Sequence, residues 1–459
     1  MTPQTTPSNT RNTTARALTG RESPGQEDLG QEILGQERTG RDSVAGAVRG
    51  RFSRLPQLAG PAFIPLGLFA RLPLAMLTMG TLTLVTSVSG SFAVGGTAAG
   101  AVGIGSALGA PVLGSLADRH GQRPVLLVSA VLNTVAVLAL VLAANAIDVG
   151  DFAPAVLAIA LAAGATCPQV GPLARVRWMA LTANAGKTAG PCDPARDLDT
   201  ALSFESTADE VTFVLGPALV GILASLVSPW LPLALAAAMT ITLVPAFAVH
   251  PTHQAVPATK RPAARRRKGA TDAAKLPWAV ALPVFAMVCM GTFFGSTQAA
   301  LSAFSARLAG AEIAGLLYAV MGLSSAAAAL SVAYWPRRAG LALRWVACAV
   351  LMAGLALLLL VPSSLPTMAA VLFVLGLPVG PVMVTVFAVG GTFAPAGRLG
   401  TVMTALASGI VAGTAIGSVA GGQLAQLHGP AAAFLVPACA GAALALLGAG
   451  AAVVLRRRA

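Results

Sequence analysis

Two groups of ionisable residues lie inside or against long apolar stretches, where a charge is costly and usually functional. Arg71 sits in ARLPLAM, some eight residues into the first such stretch. Either it faces the interior of a helical bundle, or the first span starts later and leaves it at the interface. Glu205, Asp209 and Glu210 lead into FVLGPALVG at 213–221. On a helix Glu205 and Asp209 share one face and Glu210 is turned away by about 100°. Glu205 and Asp209 read as an exposed turn. Glu210, nearest the apolar core, reads as the protonatable carboxylate, with Arg71 as its partner. Uncharged groups supply the rest of a candidate cavity: Gln169 and Gln298, with Ser296, Thr297 and Ser302 near them. Met76, Met79 and Phe294 would make its walls apolar and adaptable.

Other chemistries find no support. Cys167, Cys289, Cys348 and Cys439 fall in apolar runs, and Cys192 stands alone in a polar loop, so neither a disulfide framework nor a metal site is spelled out. His120 and His428 are isolated, and His250 and His253 have no further ligand nearby. There is no GxxxxGK[ST] loop for a nucleotide and no grouping of nucleophile, base and acid, so neither direct nucleotide drive nor an enzyme is expected, and no metal or cofactor.

The elements that must position these residues follow from the composition. Hydrophobic residues make up 56% of the 459 and charged ones only 10%, against about 25% in soluble domains; the mean hydropathy is +0.76. Ala, Leu, Val and Gly dominate while aromatics are 5%, which suits packed helices in lipid better than a barrel with aromatic girdles. Runs of about 20 apolar residues, enough to cross a bilayer as helix, recur at 63–88, 92–116, 125–144, 154–173, 211–227, 231–249, 277–300, 313–333, 341–361, 365–387, 402–424 and 431–455. The expectation is an all-α polytopic membrane protein of twelve transmembrane helices.

Charge placement supports that count. The net charge of +13 would suggest nucleic-acid binding in a soluble chain. Apart from eight basic residues in the first 61 and Arg71, however, twenty fall in breaks after even-numbered runs or at the C-terminus, and only Arg307 falls after an odd-numbered one. This is the positive-inside pattern, placing both termini in the cytoplasm. Arg344, near the start of the ninth run, is expected to snorkel. The longest break, 250–276, carries KRPAARRRKGA and divides the chain into two six-helix halves, 62–249 and 277–455, with a basic C-terminus at 456–459. Such a linker attracts anionic lipid, and with no interleaved aromatics it does not read as a nucleic-acid site. Residues 1–61 are polar, with Gly20, Gly25, Gly30, Gly35 and Gly40 every fifth position, and read as a disordered cytoplasmic tail. Arg outnumbers Lys 26 to 4, a bias suggesting a bacterial genome of high GC content and therefore the cytoplasmic membrane.

The break between the second and third runs reads GSLADRHGQRP over 114–124. Gly114, Asp118, Arg119, Gly121 and Arg123 resemble the loop signature of the major facilitator superfamily, at the position where that family carries it. The resemblance covers 63–455 and implies the major facilitator fold, a secondary transporter working by alternating access. It also implies that Asp118 latches the N-terminal half to the start of the eleventh helix, around 400–404. Gly216, Pro217 and Gly221 resemble the GPxxGG motif of the family's antiporters, with Val220 where a glycine is expected. On that resemblance the function expected is proton-coupled efflux of a small amphipathic compound by a monomer in the lipid bilayer. Proton-coupled uptake by the same fold is the alternative within the class, and a non-transporting membrane sensor or scaffold the alternative outside it. Antiporters of the family often carry an arginine in the fourth helix; run 154–173 has none. Glycine stripes at 409, 413, 417 and 421, and at 96, 100, 105 and 109, read either as a sliding seam between the halves or as static packing.

Overall fold

The computed structural model describes residues 51–146, 154–185, 193–256, 277–308, 313–336 and 340–458. The glycine repeats at 20–40, Cys192, the basic linker and Glu312, expected to cap the eighth helix, lie outside these residues. Among the described residues twelve helices are long and apolar enough to span a membrane. Spans 1 to 6 are Phe63–Ser89, Val94–His120, Gln122–Ala144, Pro154–Ala185, Pro194–Leu226 and Leu231–Val249. Spans 7 to 12 are Trp278–Ala306, Ile313–Tyr334, Leu341–Leu360, Leu365–Phe393, Leu399–His428 and Pro430–Arg457. An even number of spans returns the chain to the face it started from; this face, with the 2–3 motif, is called the basic face below.

The outer surface is apolar, as a lipid-facing surface requires. Ile104, Leu108 and Val112 form an exposed i, i+4, i+8 row on span 2, and Val128, Leu132 and Val135 a similar one on span 3. Three spans are interrupted next to a proline, which disfavours a continuous ladder, span 12 at Phe434 before Pro437. Span 1 breaks at Ala70–Arg71, before Pro73, and span 4 breaks between Ala165 and Val170, around Pro168.

Several sequence expectations change. Span 4 runs on to Ala185, so Arg175 and Arg177 lie in a helix and are 1% and 0% exposed. Their transfer from loop to span leaves the charge asymmetry intact. Span 5 starts at Pro194 behind an Asp193 cap, which places Glu205, Asp209 and Glu210 within the helix. Arg344 does not snorkel: it is 5% exposed, donating to Pro336 O and 3.7 Å from Asp199. The polar tail ends before residue 61, because Arg54–Ala59 is helical and buries Leu55 and Ala59.

The glycine stripes pack within each half. Side chains at Gly105 and Gly109 would run into Leu161 and Ala165 of span 4, and at Gly409, Gly413, Gly417 and Gly421 into span 7 from Val284 to Ser296. These six glycines draw neighbouring helices of one half together and do not lie on the seam between halves. Gly96 and Gly100 meet nothing within 4 Å.

Candidate functional site

The interruption of span 1 turns Arg71 inward, where it is 5% exposed. Its Nε donates to Gly67 O (2.9 Å), covering a carbonyl at the break. One terminal nitrogen donates to Glu205 Oε2 (2.7 Å) and the other to Asp209 Oδ1 (2.8 Å). Glu205 and Asp209 thus do share a face, but a buried one, contrary to the exposed turn expected of them. Asp209 is also bound by Arg175 (2.6 Å), and Glu205 accepts from the Trp178 indole (2.8 Å). Two arginines and two carboxylates from spans 1, 4 and 5 therefore balance in charge. Breaking such a buried group by removing one partner costs about 3–5 kcal/mol.

This network touches the other half. The Arg175 guanidinium lies 3.9 Å from the ring centroid of Phe387 in span 10, a cation–π contact across the molecule. Span 4 thus holds two arginines, Arg175 and Arg177, where run 154–173 has none. Arg177 points the opposite way, donating to Gln122 Oε1 (2.8 Å), Phe247 O (2.7 Å) and Thr252 Oγ1 (3.0 Å). It ties span 4 to spans 3 and 6 with neutral partners. The sequence reading missed both arginines; the signal was the run Arg175-Val176-Arg177-Trp178 continuing directly from an apolar helix without a breaker.

Glu210 does not pair with Arg71. Turned away from Glu205 and Asp209, it reaches span 8, where Ser325 Oγ donates to its Oε1 (2.9 Å). Among the described residues this is its one hydrogen bond, and it is 7% exposed. Thr207 donates to Ala326 O (3.1 Å) one turn earlier, and Val214 packs against Gly322 one turn later. Glu210 therefore sits on the seam between spans 5 and 8, at mid-span, with a hydroxyl facing it across the two halves.

The loop motif meets span 11 directly. Asp118 accepts from Gly400 N (2.8 Å), Thr401 N (2.7 Å) and Thr401 Oγ1 (2.7 Å). A carboxylate from span 2 thereby caps the first turn of span 11, where unpaired N–H groups and helix polarity favour an anion. Gly114 faces Gly400 O and Thr404, so the two helices approach too closely for a side chain there. Gly121 has φ +90°, a conformation that favours glycine, and ends span 2. Arg119 and Arg123 are exposed.

The remaining sequence candidates occupy separate environments. Gly216 packs on Ala75 of span 1, and Pro217 lies inside span 5, whereas Gly221 meets nothing within 4 Å and is not a packing contact. Met76 is fully buried against the span 5 and 6 residues Val220 and Ala236. Gln169 donates to Cys167 O within the span 4 break. Phe294 lies edge-on to Tyr318, 6.5 Å between centroids, in the core of the C-terminal half. Gln298 is exposed. These four do not form the common lining that their sequence context suggested.

A twelve-helix bundle with a 2–3 loop carboxylate capping span 11 defines a transporter class, and comparison gives its family. Residues 64–406 match the Major Facilitator Superfamily, and the chain belongs to it. Solved structures share the fold. The human organic anion transporter MFSD10 (TETRAN) is 19% identical with a TM-score of 0.63, covering 84% of this chain and 98% of its own. A bacterial homologue of the iron transporter ferroportin in an outward-facing state is 19% identical, TM-score 0.57, covering 85% and 99%. The E. coli fucose:proton symporter FucP is 16% identical, TM-score 0.57, covering 84% and 98%. No curated protein sequence matches. The chain is a multi-pass membrane protein with a transporter fold.

Proposed function

We propose that the protein is a secondary transporter that exports a small amphipathic compound in exchange for protons, cycling by alternating access with its basic face in the cytoplasm. The observation that carries this reading is the division of labour among the buried acids. Glu205 and Asp209 are held by Arg71 and Arg175, whereas Glu210 has, among the described residues, a single serine of the other half for a partner and sits on the seam that must open and close. A carboxyl so placed can exchange a proton when spans 5 and 8 part, and so couple protonation to the state of the seam. Arg71 then acts as the fixed cation of the network, not as the partner of Glu210.

The arrangement of contacts supports a cytoplasm-closed, outward-facing state. Asp118 and Gly114 join span 2 to span 11 at the basic face, Arg175 stacks on Phe387 nearer the middle, and Gly96, Gly100 and Gly103 of span 2 face open space towards the other side. In this reading Asp118, with Gly114 and Gly121, is the latch of the closed face, and Arg119 and Arg123 serve topology. Gly216, Pro217 and Gly221 support efflux through their resemblance to the antiporter motif, Gly216 packing on Ala75 of span 1. Uptake is the second reading, favoured by the likeness to the fucose:proton symporter.

Everted membrane vesicles carrying an acridine-type pH reporter and challenged with a panel of amphipathic compounds test the proposal. At least one compound should dissipate the proton gradient in vesicles with the wild-type chain and not with Glu210→Gln. Compound movement indifferent to an imposed gradient would contradict coupling, and gradient-driven movement in the opposite direction would favour uptake.

A further inference from the structure

The segment that precedes span 1 lies across the basic face and touches both halves. Its anchor is in the N-terminal half. Leu55 and Ala59 are 2% and 5% exposed, in the same apolar cluster as Phe63 and Trp178, and Arg54 Nε lies 3.2 Å from Asp197 Oδ1 at the start of span 5. Gly60, with φ +86°, then turns the chain into span 1. The other end of the segment reaches the C-terminal half. Arg51 Nη1 donates to Ala333 O (2.6 Å), its guanidinium lies 4.8 Å from the ring centroid of Tyr334, and the Phe52 ring is 6.1 Å from the same ring.

Val332–Tyr334 is the 3-10 turn that ends span 8. The last carbonyls of a helix lack partners within it, and helix polarity there favours a cation. Arg51 supplies both a donor and the positive charge. The arrangement mirrors the one at spans 2 and 11: there an anion of the N-terminal half caps the N-terminal end of a helix in the other half, and here a cation of the N-terminal half caps the C-terminal end of one. Around it, Arg344 lies 3.7 Å from Asp199, and Leu202 packs with Ala329, Val332, Val384 and Ala388 across the same seam.

We propose that residues 51–60 form a second latch, the Arg51–Tyr334 clip, which closes the span 5/span 8 side of the basic face and must release before that face opens. The proposal rests on the alternating-access reading. Asp118 closes the span 2/span 11 side and the clip the opposite one, so loss of either shifts the same equilibrium. Arg51 and Tyr334 act as positioning residues for the closed state, while Leu55 keeps the segment tethered to the N-terminal half when the clip is open.

Hydrogen–deuterium exchange on the full chain in lipid nanodiscs tests this without a transport assay. Arg51→Ala and Tyr334→Ala should each speed exchange at 332–334 and also at 399–404 on the far side of the seam. The expected rise is on the order of three- to tenfold, as loss of one cation–π contact or one charge-assisted hydrogen bond implies. Arg51→Lys, which keeps cation and donor, and Tyr334→Phe, which keeps the ring, should restore most of the protection at both places. A rise confined to 51–60, or none, would overturn the clip, since a merely local tether does not reach span 11. An absence of proton-coupled flux in the vesicle assay, by contrast, would remove the transport reading and leave the exchange result standing.

Discussion

Replacing Asp118 by Asn should weaken the closed basic face by an amount the geometry allows to be worked out. The carboxylate accepts three hydrogen bonds, at 2.8, 2.7 and 2.7 Å, from the first turn of span 11. An amide keeps one acceptor oxygen, loses the charge, and turns an NH2 group towards donors that need an acceptor. Bonds to a charged group contribute about 1.5–3 kcal/mol each, and an anion at a helix N-terminus about 0.3–1 kcal/mol. The site is only partly buried, so the lower end applies: about 2 kcal/mol net, or roughly a thirtyfold shift towards the open face. Pulsed electron paramagnetic resonance between labels at Arg123→Cys and Ala396→Cys, both exposed, in a background without native cysteines, reads that shift as a longer-distance population. Identical distance distributions with and without Asp118→Asn would refute the latch.

Three further substitutions probe the neighbouring contacts. Gly114→Ala leaves the carboxylate alone, but its Cβ would collide with Thr404 and lie 2.7 Å from Gly400 O; it should reproduce the long-distance population, and an unchanged distribution would show that the seam yields cheaply. Glu205→Gln keeps an acceptor for Trp178 but leaves Arg71 and Arg175 with one anion; it should lose about 3 kcal/mol of stability in denaturant titration, partly recovered by adding Arg71→Gln, and a wild-type midpoint would argue against a balanced network. Burial, then the charges of Arg177 and His253, hold the His250 imidazole below its usual range. The folded chain thus binds that proton more weakly than the unfolded one, so the stability contributed by the neutral ring is complete above about pH 6.5 and is lost as pH falls from there through the ring's lower folded-state value. Thermal melts of His250→Gln should therefore decline less than wild type as pH drops from about 7.5 to about 5.5; parallel curves would assign the decline elsewhere.

The twelve spans and the 2–3 loop were readable because lipid imposes a simple code of apolar length, basic breaks and a loop whose glycines and carboxylate have fixed neighbours. The same code hid the charged centre. An apolar-run criterion stops at Leu173 because Arg175 and Arg177 follow, and starts again at Val211 because Glu205, Asp209 and Glu210 precede it. Yet these residues are buried because they satisfy one another, or because Gln122, Phe247 and Thr252 satisfy them. Two local signals pointed the right way: Asp193-Pro194 is a helix start, and the spacing of Glu205 and Asp209 suits a single guanidinium between them. The partner of Glu210 was not legible. A serine on span 8 becomes significant only when the two halves are docked, and no spacing within one helix reports that. Met76, Gln169, Phe294 and Gln298 share polarity or softness in the sequence, whereas the fold gives them different neighbours.

Glu210 is proposed to carry the coupling proton. This role is tested most directly by mixing the purified chain, in weakly buffered detergent with a pH indicator, with a compound that dissipates the gradient in vesicles. Binding should release about one proton per chain from wild type and none from Glu210→Gln, with compound still bound. Equal release from both, or none from wild type, would contradict it.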